Sequence, residues 1–172
     1  MSSKVLPAGQ APAELAKANQ SAFRRTCAQF ATGVTVVTTL DGDGHPHGLT
    51  VNSFASVSLD PPLVLVSIDL RNAILGHFLS TSWFAINILA EHQEDLSRRF
   101  SSPAENRFVG VDWNAGSSGV PLLKGVLAQL ECAVVRTFEA GDHTVLVGEA
   151  RGVSYTEGRP LVYFDSSYRQ VK

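Results

Sequence analysis

The sequence predicts a mainly β fold, arranged as an antiparallel barrel. Runs of β-branched and aromatic residues recur at short spacing, and glycine-rich turns separate them. Helical periodicity is confined to short segments that do not alternate with the strands, which argues against a parallel βαβ sheet. The chain has 172 residues, of which 44% are apolar. That is enough to bury one sizeable core.

The first predicted elements are an arm and a helix. Residues 1–12 are rich in Pro, Gly, Ser and Ala and predict a flexible arm ahead of a single domain over 13–172. The helix is indicated by apolar residues at three- and four-residue spacing, namely Leu15, Ala18, Ala22, Phe23, Cys27 and Phe30. It is expected to end near Thr32-Gly33.

β-Branched runs predict the strands of the first half. The turn Asp41–Gly44 joins the first two strands into a hairpin, and Asp60-Pro61-Pro62 ends the second. A short helix over Asn72–Leu79 separates the last two. The predicted strands are Val34–Thr39, Gly48–Leu59, Leu63–Asp69 and Trp83–Leu89.

The second half continues the same pattern. His92–Phe100 carries acidic residues first and arginines last, the order that complements a helix dipole, and predicts a short surface helix. Residues 101–120 predict a long ordered loop, because Phe108 and Trp113 need packing partners. The remaining predicted strands are Gly125–Phe138, Thr144–Tyr155 and Pro160–Phe164.

Composition excludes several classes of function. Fourteen Lys and Arg against sixteen Asp and Glu give a net charge of −2, so nucleic acid is not an expected partner. No stretch approaches the roughly 20 apolar residues of a membrane span, and the N-terminus lacks the apolar core of an export signal. Cys27 and Cys132 lie in apolar surroundings and are predicted to be reduced core residues of a cytoplasmic protein.

Motifs of catalysis by side chains are missing from the sequence. It contains no GxSxG, no Walker loop and no GxGxxG between a strand and a helix. Its five histidines form no HExxH and pair with no CxxC, and His45-Pro-His47 is the one close pair, so no metal site is expected. The residue patterns alone therefore lead to a β-barrel that binds a ligand.

Several ordered segments resemble the flavin reductase family with an FMN-binding split barrel, the small reductase component of two-component monooxygenases. They are FRRTCAQFATGVTVVTT (23–39), GLTVNSFASVSLDPPLVLVSI (48–68), FAINIL (84–89), RF (99–100), NRFVGVDW (106–113), PLLKGVLAQLEC (121–132), GDHTVLVGEA (141–150) and PLVYFDSSY (160–168). The resemblance implies an antiparallel Greek-key split barrel with an N-terminal helix and two short peripheral helices. It also implies a homodimer.

The resemblance implies a set of cofactor-binding residues. They are Thr50, Val51, Asn52, Ser53, Ser67, Ile68, Asn72, Ala73, Phe100, Arg107 and Tyr168, with His143 positioning the nicotinamide. Many family members carry Ser or Thr where this chain has Ala73. From pattern alone, the polar face of a half-buried strand is the better interpretation of Thr50–Ser53, and a solvated loop arginine is the better interpretation of Arg107. The resemblance reverses both preferences. His143 equally fits an exposed turn, and Tyr168 a packing tyrosine.

The implied reaction is hydride transfer from C4 of NADH or NADPH to N5 of FMN or FAD, with FMN and NADH preferred. The reduced flavin would then pass to a monooxygenase component. Because the cofactors carry the chemistry, such an enzyme needs no catalytic triad. A non-enzymatic flavin- or haem-binding split barrel remains an alternative. So does a pyridoxine-phosphate oxidase, which should need a denser basic site.

Overall fold

The structure, a computed structural model, describes residues 19–104 and 106–171. Three short helices surround a body of strands: α1 (Gln20–Cys27), α2 (Leu75–Ser80) and α3 (Glu94–Ser101). The strands are β1 (Thr32–Gly33), β2 (Thr35–Leu40), β3 (Pro46–Val51), β4 (Ala55–Leu59), β5 (Pro62–Asp69), β6 (Trp83–Ile88), β7 (Trp113–Ala115), β8 (Pro121–Leu123), β9 (Ala128–Ala140), β10 (His143–Tyr155), β11 (Val162–Phe164) and β12 (Ser167–Arg169).

Seven strands form the main sheet in the order β3-β2-β6-β9-β10-β5-β4, and every pairing between them is antiparallel. Its edge strands β3 and β4 are consecutive in the chain, since β3 ends at Val51 and β4 begins at Ala55. Four residue steps span at most about 14 Å. Six strand spacings in a flat sheet would span roughly 29 Å. The sheet must therefore curl until its edges meet, which makes it a barrel.

The barrel interior holds the larger of two apolar clusters. Phe84, Ile86 and Leu146 are fully buried there, together with Phe78 from α2. Cys132 is also buried, and burial raises the pKa of its thiol to about 12, so it remains protonated. A second cluster around Phe100 and Leu123 lies between α3 and the outside of the barrel. The two clusters place α2 and α3 on the body of strands.

Much of the predicted architecture is confirmed. The fold is mainly β and antiparallel, the hairpin turns at Asp41–Gly44, and three short helices are present. The prediction of one strand over Gly48–Leu59 is wrong, because the chain crosses at 52–54 from one edge of the sheet to the other. The predicted loop over 101–120 contains β7, which pairs with β8. The predicted strand Gly125–Phe138 corresponds to β9, which begins at Ala128 and ends at Ala140.

The N-terminal helix differs most from its prediction. It is capped by Asn19, whose side chain accepts from the Ser21 amide at 2.8 Å, and it ends at Cys27 rather than near Thr32. No residue of α1 is buried, and Cys27 is exposed, so the prediction of a core position for Cys27 is wrong. Periodicity reveals an apolar stripe but not the surface that covers it. The predicted arm 1–12 and the first turn of the helix lie outside the described residues.

Within the described ranges, no helix is long and apolar enough to cross a membrane.

Candidate functional site

A pair of serines ties the link between the edge strands β3 and β4 to the neighbouring strand β5. The Ser53 hydroxyl donates to the Ser67 carbonyl and lies 2.9 Å from the Ser67 amide, which donates back to it. This contact holds the link between β3 and β4 against β5. It brings the predicted residues Thr50–Ser53 beside Ser67 and Ile68, and we refer to the contact as the serine seam.

The side chains at the seam face in opposite directions. Ile68 is 1% exposed and packs in the barrel interior, so it can offer a ligand only its main chain. Ser67 is half-buried on the other face of β5. Because Ser67 pairs with Val145 and Asp69 pairs with His143, these four residues share that outer face. His143 therefore lies along the same strip of sheet as the seam.

His143 begins β10 at the rim of this strip. Its Nδ1 lies 2.7 Å from Oδ1 of Asp142, and this hydrogen bond lowers the pKa of Asp142. The neighbouring Asp69 carboxylate is paired with Arg71 at 2.7 Å, which holds the pKa of Asp69 well below its usual range. The imidazole is half-exposed beside an ion pair. It can therefore reach a ligand lying on the outer face.

The loop after β5 leads to a cavity. Asn72 caps the turn into α2, because its side-chain oxygen accepts from the Ile74 amide at 3.1 Å. Ala73 is exposed at the edge of a cavity of about 220 Å³. We name it the Arg107 cavity; its walls are Pro46, His47, Gly48, Ala73, Ile74, Pro103, Ala104, Arg107 and Phe108. Two predicted residues, Ala73 and Arg107, thus meet at one site.

Arg107 is the half-buried charge of this cavity. Its Nη1 donates to the Gly48 carbonyl at 2.8 Å, which fixes the guanidinium against β3. Its Nε is buried and finds no acceptor among residues 19–104 and 106–171. Burial lowers the pKa of Arg107 by disfavouring the charged form. A buried donor without a partner is costly, so the site fits an anionic group that would supply the acceptor.

Phe100 supports the cavity without lining it. Its ring is fully buried and meets Phe108 edge to face, with centroids 5.0 Å apart. A Cβ placed on Gly48 would lie 2.9 Å from Cε1 of Phe100, so the strand passes this ring only because it has glycine there. Phe100 therefore packs against Gly48 and Phe108, and these two residues line the cavity.

His47 is a cavity residue that sequence patterns did not single out for this site. Its Nε2 lies 3.0 Å from Oδ2 of Asp41, and its ring stacks on His77 with centroids 3.8 Å apart. The hydrogen bond from His47 is the main reason why the pKa of Asp41 lies well below its usual range. The pair His45-Pro-His47 was the only signal in the sequence. It gave no hint of His77, which is thirty positions further along the chain.

Tyr168 lies at a different cavity and is tied to α3. Its hydroxyl is 2.8 Å from the hydroxyl of the buried Ser97, whose carbonyl accepts from Thr50 at 2.7 Å. Arg98 lies over the Tyr168 ring, 4.9 Å from its centroid, in a cavity of about 400 Å³ that we name the Tyr168 cavity. Ser97 thus organises two predicted residues, and no sequence pattern marks a small polar residue on a helix for such a role.

The predicted site residues therefore form three groups: the serine seam with His143, the Arg107 cavity with the loop Asn72-Ala73, and the Tyr168 cavity. Thr50 connects the first group to the third through Ser97. Residues 27–172, which contain all three groups, match the family model of the flavin reductase like domain. The chain belongs to this family.

Relatives within the family extend the match over most of the chain. An NADH-dependent flavin reductase of a Rhodococcus species is 43% identical over 156 residues, covering 87% of this chain and 85% of the relative. The reductase component of the flavin-dependent trigonelline monooxygenase of Acinetobacter baylyi is 43% identical over 146 residues, covering 85% of this chain. The chain spans about half the length, 47%, of that relative.

The fold is shared with solved flavin reductases. The NADH:FAD oxidoreductase SgcE6 of Streptomyces globisporus C-1027, solved with NAD and FAD fragments, superposes with a TM-score of 0.85. It is 36% identical to this chain, and the match covers 90% of this chain and 93% of SgcE6. The curled antiparallel sheet is therefore the fold of flavin reductases.

Proposed function

We propose that the chain is an NADH-dependent flavin reductase that transfers a hydride from C4 of the nicotinamide to N5 of the flavin. One hydride and one proton convert the oxidised flavin to its reduced form and leave NAD⁺. The observation that carries this proposal is the buried Arg107 Nε, which has no hydrogen-bond partner in the described part of the chain, in a family of flavin reductases. The same residues allow NADPH, so the test includes both nucleotides.

Arg107 would hold the phosphate of the flavin. Its guanidinium is already fixed through Nη1 on Gly48, so little freedom is lost when Nε gains an acceptor. FMN carries a monophosphate that suits one guanidinium, and FMN remains our preferred flavin over FAD. The exposed Ala73, next to Asn72, borders the same cavity. With Ala73 in place of a hydroxyl residue, any contact there has to come from the main chain.

The seam would orient the ring system. The main chain at Val51–Ser53 and at Ser67-Ile68 is held in register by the two hydrogen bonds of Ser53. When bound, the flavin supplies the hydride-accepting chemistry. The chain contributes a fixed surface that holds the two reactants in contact and limits water between them. Positioning on this scale can supply much of the rate, which fits the lack of an acid–base motif.

His143 would position the nicotinamide. It stands on the outer face two residues from Val145, the partner of Ser67. We expect His143→Ala to raise the KM for NADH more than it lowers kcat, because a positioning group acts mainly through binding. Asp142→Asn, which keeps the ring but weakens its anchor, should act in the same direction with a smaller effect. An unchanged KM and kcat in His143→Ala would remove this role.

The reduced flavin would be delivered to a flavin-dependent monooxygenase component. Support comes from the relative named as the reductase component of such an enzyme. Reduced flavin reacts with oxygen, so a supplier needs a consumer nearby. The setting we propose is the cytoplasm, since Cys27 and Cys132 are both free thiols.

The functional unit would be a homodimer. Phe23 on α1 is 61% exposed, Phe30 just after the end of α1 is 77% exposed, and Leu59 on the edge strand β4 is 96% exposed. Large apolar side chains and an open strand edge of this kind are normally covered. Light scattering of the full chain should give twice the mass of 18.4 kDa. A monomeric mass at micromolar concentration would contradict the dimer.

The activity is tested by the oxidation of NADH at 340 nm by the purified full chain. FMN, FAD and riboflavin are added in turn, and each series is repeated with NADPH. A rate that saturates with flavin supports the reductase. Flavin binding without oxidation of either nucleotide would overturn it in favour of a non-enzymatic flavin- or haem-binding protein.

A further inference from the structure

We propose that Asp41, His47 and His77 form a binding site for a divalent transition-metal ion of the Zn²⁺ class, next to the Arg107 cavity that His47 lines. The three side chains come from the hairpin turn, β3 and α2. Their ligand atoms all lie within 4.8 Å of one another. Two imidazoles and one carboxylate are a common protein ligand set for zinc and for non-haem iron, with a position left open.

The carboxylate of Asp41 is oriented by its own turn. Its Oδ1 accepts from the amides of Asp43 and His45, at 2.9 and 2.8 Å. Oδ2 is thereby directed toward the imidazoles and lies 3.0 Å from Nε2 of His47. Hydrogen bonds that aim a ligand in this way are typical of built metal sites.

The distance between Asp41 and His47 already suits a shared ion. Ligand atoms bound to one tetrahedral zinc ion at about 2.0–2.1 Å lie roughly 3.3 Å apart. Oδ2 of Asp41 and Nε2 of His47 are already closer than this. His47 donates the Nε2 proton to the carboxylate, and an ion would take the place of that proton.

His77 is free to complete the set. Its ring lies parallel to that of His47, within 13°, and makes no hydrogen bond to any residue the structure describes. Turning the ring about its side-chain bonds would aim a nitrogen at the position between Asp41 and His47. The residue is half-buried, so the ion would be partly shielded from water. An ion bound here would tie α2 to the hairpin at the edge of the cavity.

The neighbouring His45 provides a matched control. It also contacts Oδ2 of Asp41, at 3.2 Å, but its side chain is 72% exposed. It belongs to a second acidic cluster, Asp41, Asp43 and His45, which lies within the turn alone. A metal ion bound by Asp41, Asp43 and His45 would require His45, whereas the proposed site requires His77.

The experiment is a calorimetric titration of the untagged full chain with ZnCl₂, in a Cys27→Ser background that removes the exposed thiol. We expect one Zn²⁺ per chain. His77→Gln, His47→Gln and Asp41→Asn should each weaken binding by at least about tenfold, while His45→Ala should change it by less than about twofold. Asp41→Asn keeps the Oδ1 acceptor that closes the turn. Thermal melting without metal shows whether each variant is folded.

Co²⁺ gives a second readout that does not depend on activity. Bound between two imidazoles and a carboxylate, it should develop visible absorption that His77→Gln abolishes and His45→Ala retains. No stoichiometric binding of Zn²⁺ to the parent, or unchanged binding in a folded His77→Gln, would overturn the proposal. Loss of binding in His45→Ala as large as that in His77→Gln would also overturn it, because the ion would then belong to the turn.

Discussion

The Arg107 cavity and the Tyr168 cavity each contain an arginine, but the two arginines are in opposite states. Arg98 is 63% exposed, and its guanidinium is paired with Glu94 at 2.6 Å. Arg107 is half-buried, bonds a carbonyl through Nη1 and keeps a buried Nε without a partner among the described residues. The charge of Arg98 is therefore paired within its own helix, whereas Arg107 has no carboxylate partner among the described residues.

This difference favours the Arg107 cavity as the phosphate site, although cavity volume alone would favour the Tyr168 cavity. The Tyr168 cavity is larger, about 400 Å³ against about 220 Å³. Affinity depends on how well a ligand satisfies the polar groups of a site, and buried area alone does not set it. The phosphate of a flavin is therefore expected at Arg107, and four changes test or sharpen the contrast.

The largest effect is expected from Arg107→Ala. A charged hydrogen bond to phosphate contributes about 1.5–3 kcal/mol, so the KM for FMN should rise about 10- to 100-fold. Riboflavin lacks the phosphate, and its KM should change by less than about twofold. Arg98→Ala is the control, since an exposed ion pair contributes about 0–1 kcal/mol. An equal rise for FMN and riboflavin would show that Arg107 does not bind the phosphate.

Gly48→Ala should destabilise the wall of the Arg107 cavity. The new Cβ would lie 2.9 Å from Phe100 and 3.1 Å from the Val37 carbonyl. Overpacking of this kind costs about 1–3 kcal/mol, which thermal melting would register as a fall of about 2–10 °C. Gly76→Ala on α2 is the matched control because nothing lies within 4 Å of its added Cβ. A variant at Gly48 as stable as its parent would contradict this packing.

Ser97→Ala tests the link between α3 and Tyr168. The loss of the hydroxyl pair should cost about 1 kcal/mol in the free energy of unfolding, measured in urea. Tyr168→Phe removes the same bond from the other side and should cost a similar amount. Because the two side chains share one interaction, the double variant should lose less than the sum of the two single losses. Strict additivity would mean that the hydroxyls act independently.

The smallest effect concerns acid stability at the His143 rim. Pairing with Arg71 lowers the folded-state pKa of Asp69, so its contribution is present above the unfolded pKa of about 3.9 and is lost as pH falls below it. Arg71 is 82% exposed, and solvent screening of the pair keeps the effect small. Melting temperatures from pH 7 to pH 3 should fall less steeply for Asp69→Asn. Parallel curves for variant and parent would contradict this contribution.

Local patterns predicted the elements whose neighbours are close in the chain. The hairpin at Asp41–Gly44 follows from its turn residues, and α3 follows from the charge order of His92–Phe100. The break at 52–54 could not be predicted in this way, because both flanking segments have strand character. At this break, Ser53 makes its hydrogen bonds to Ser67, fourteen residues away in the chain.

For the candidate site too, the sequence predicted which residues take part but not how the fold arranges them. Arg107, His143 and Tyr168 came from matched family segments, and their chemical types agree with a nucleotide site. Their distribution over three regions could not be predicted, nor could the role of Ser97. The prediction that Cys27 lies in the core was wrong because its apolar neighbours on α1 do not pack on this chain's barrel.

By itself, the sequence determined the fold class, the family and the residue types available to bind a charged cofactor. These follow from local periodicity, turn chemistry and ordered motifs. Only the tertiary structure decided that Arg107 has a buried donor without a partner among residues 19–104 and 106–171 while Arg98 is paired with Glu94, and that His47 contacts His77 beside Asp41. Burial and hydrogen bonding are properties of residues brought together from distant parts of the chain, and linear spacing does not encode those distances.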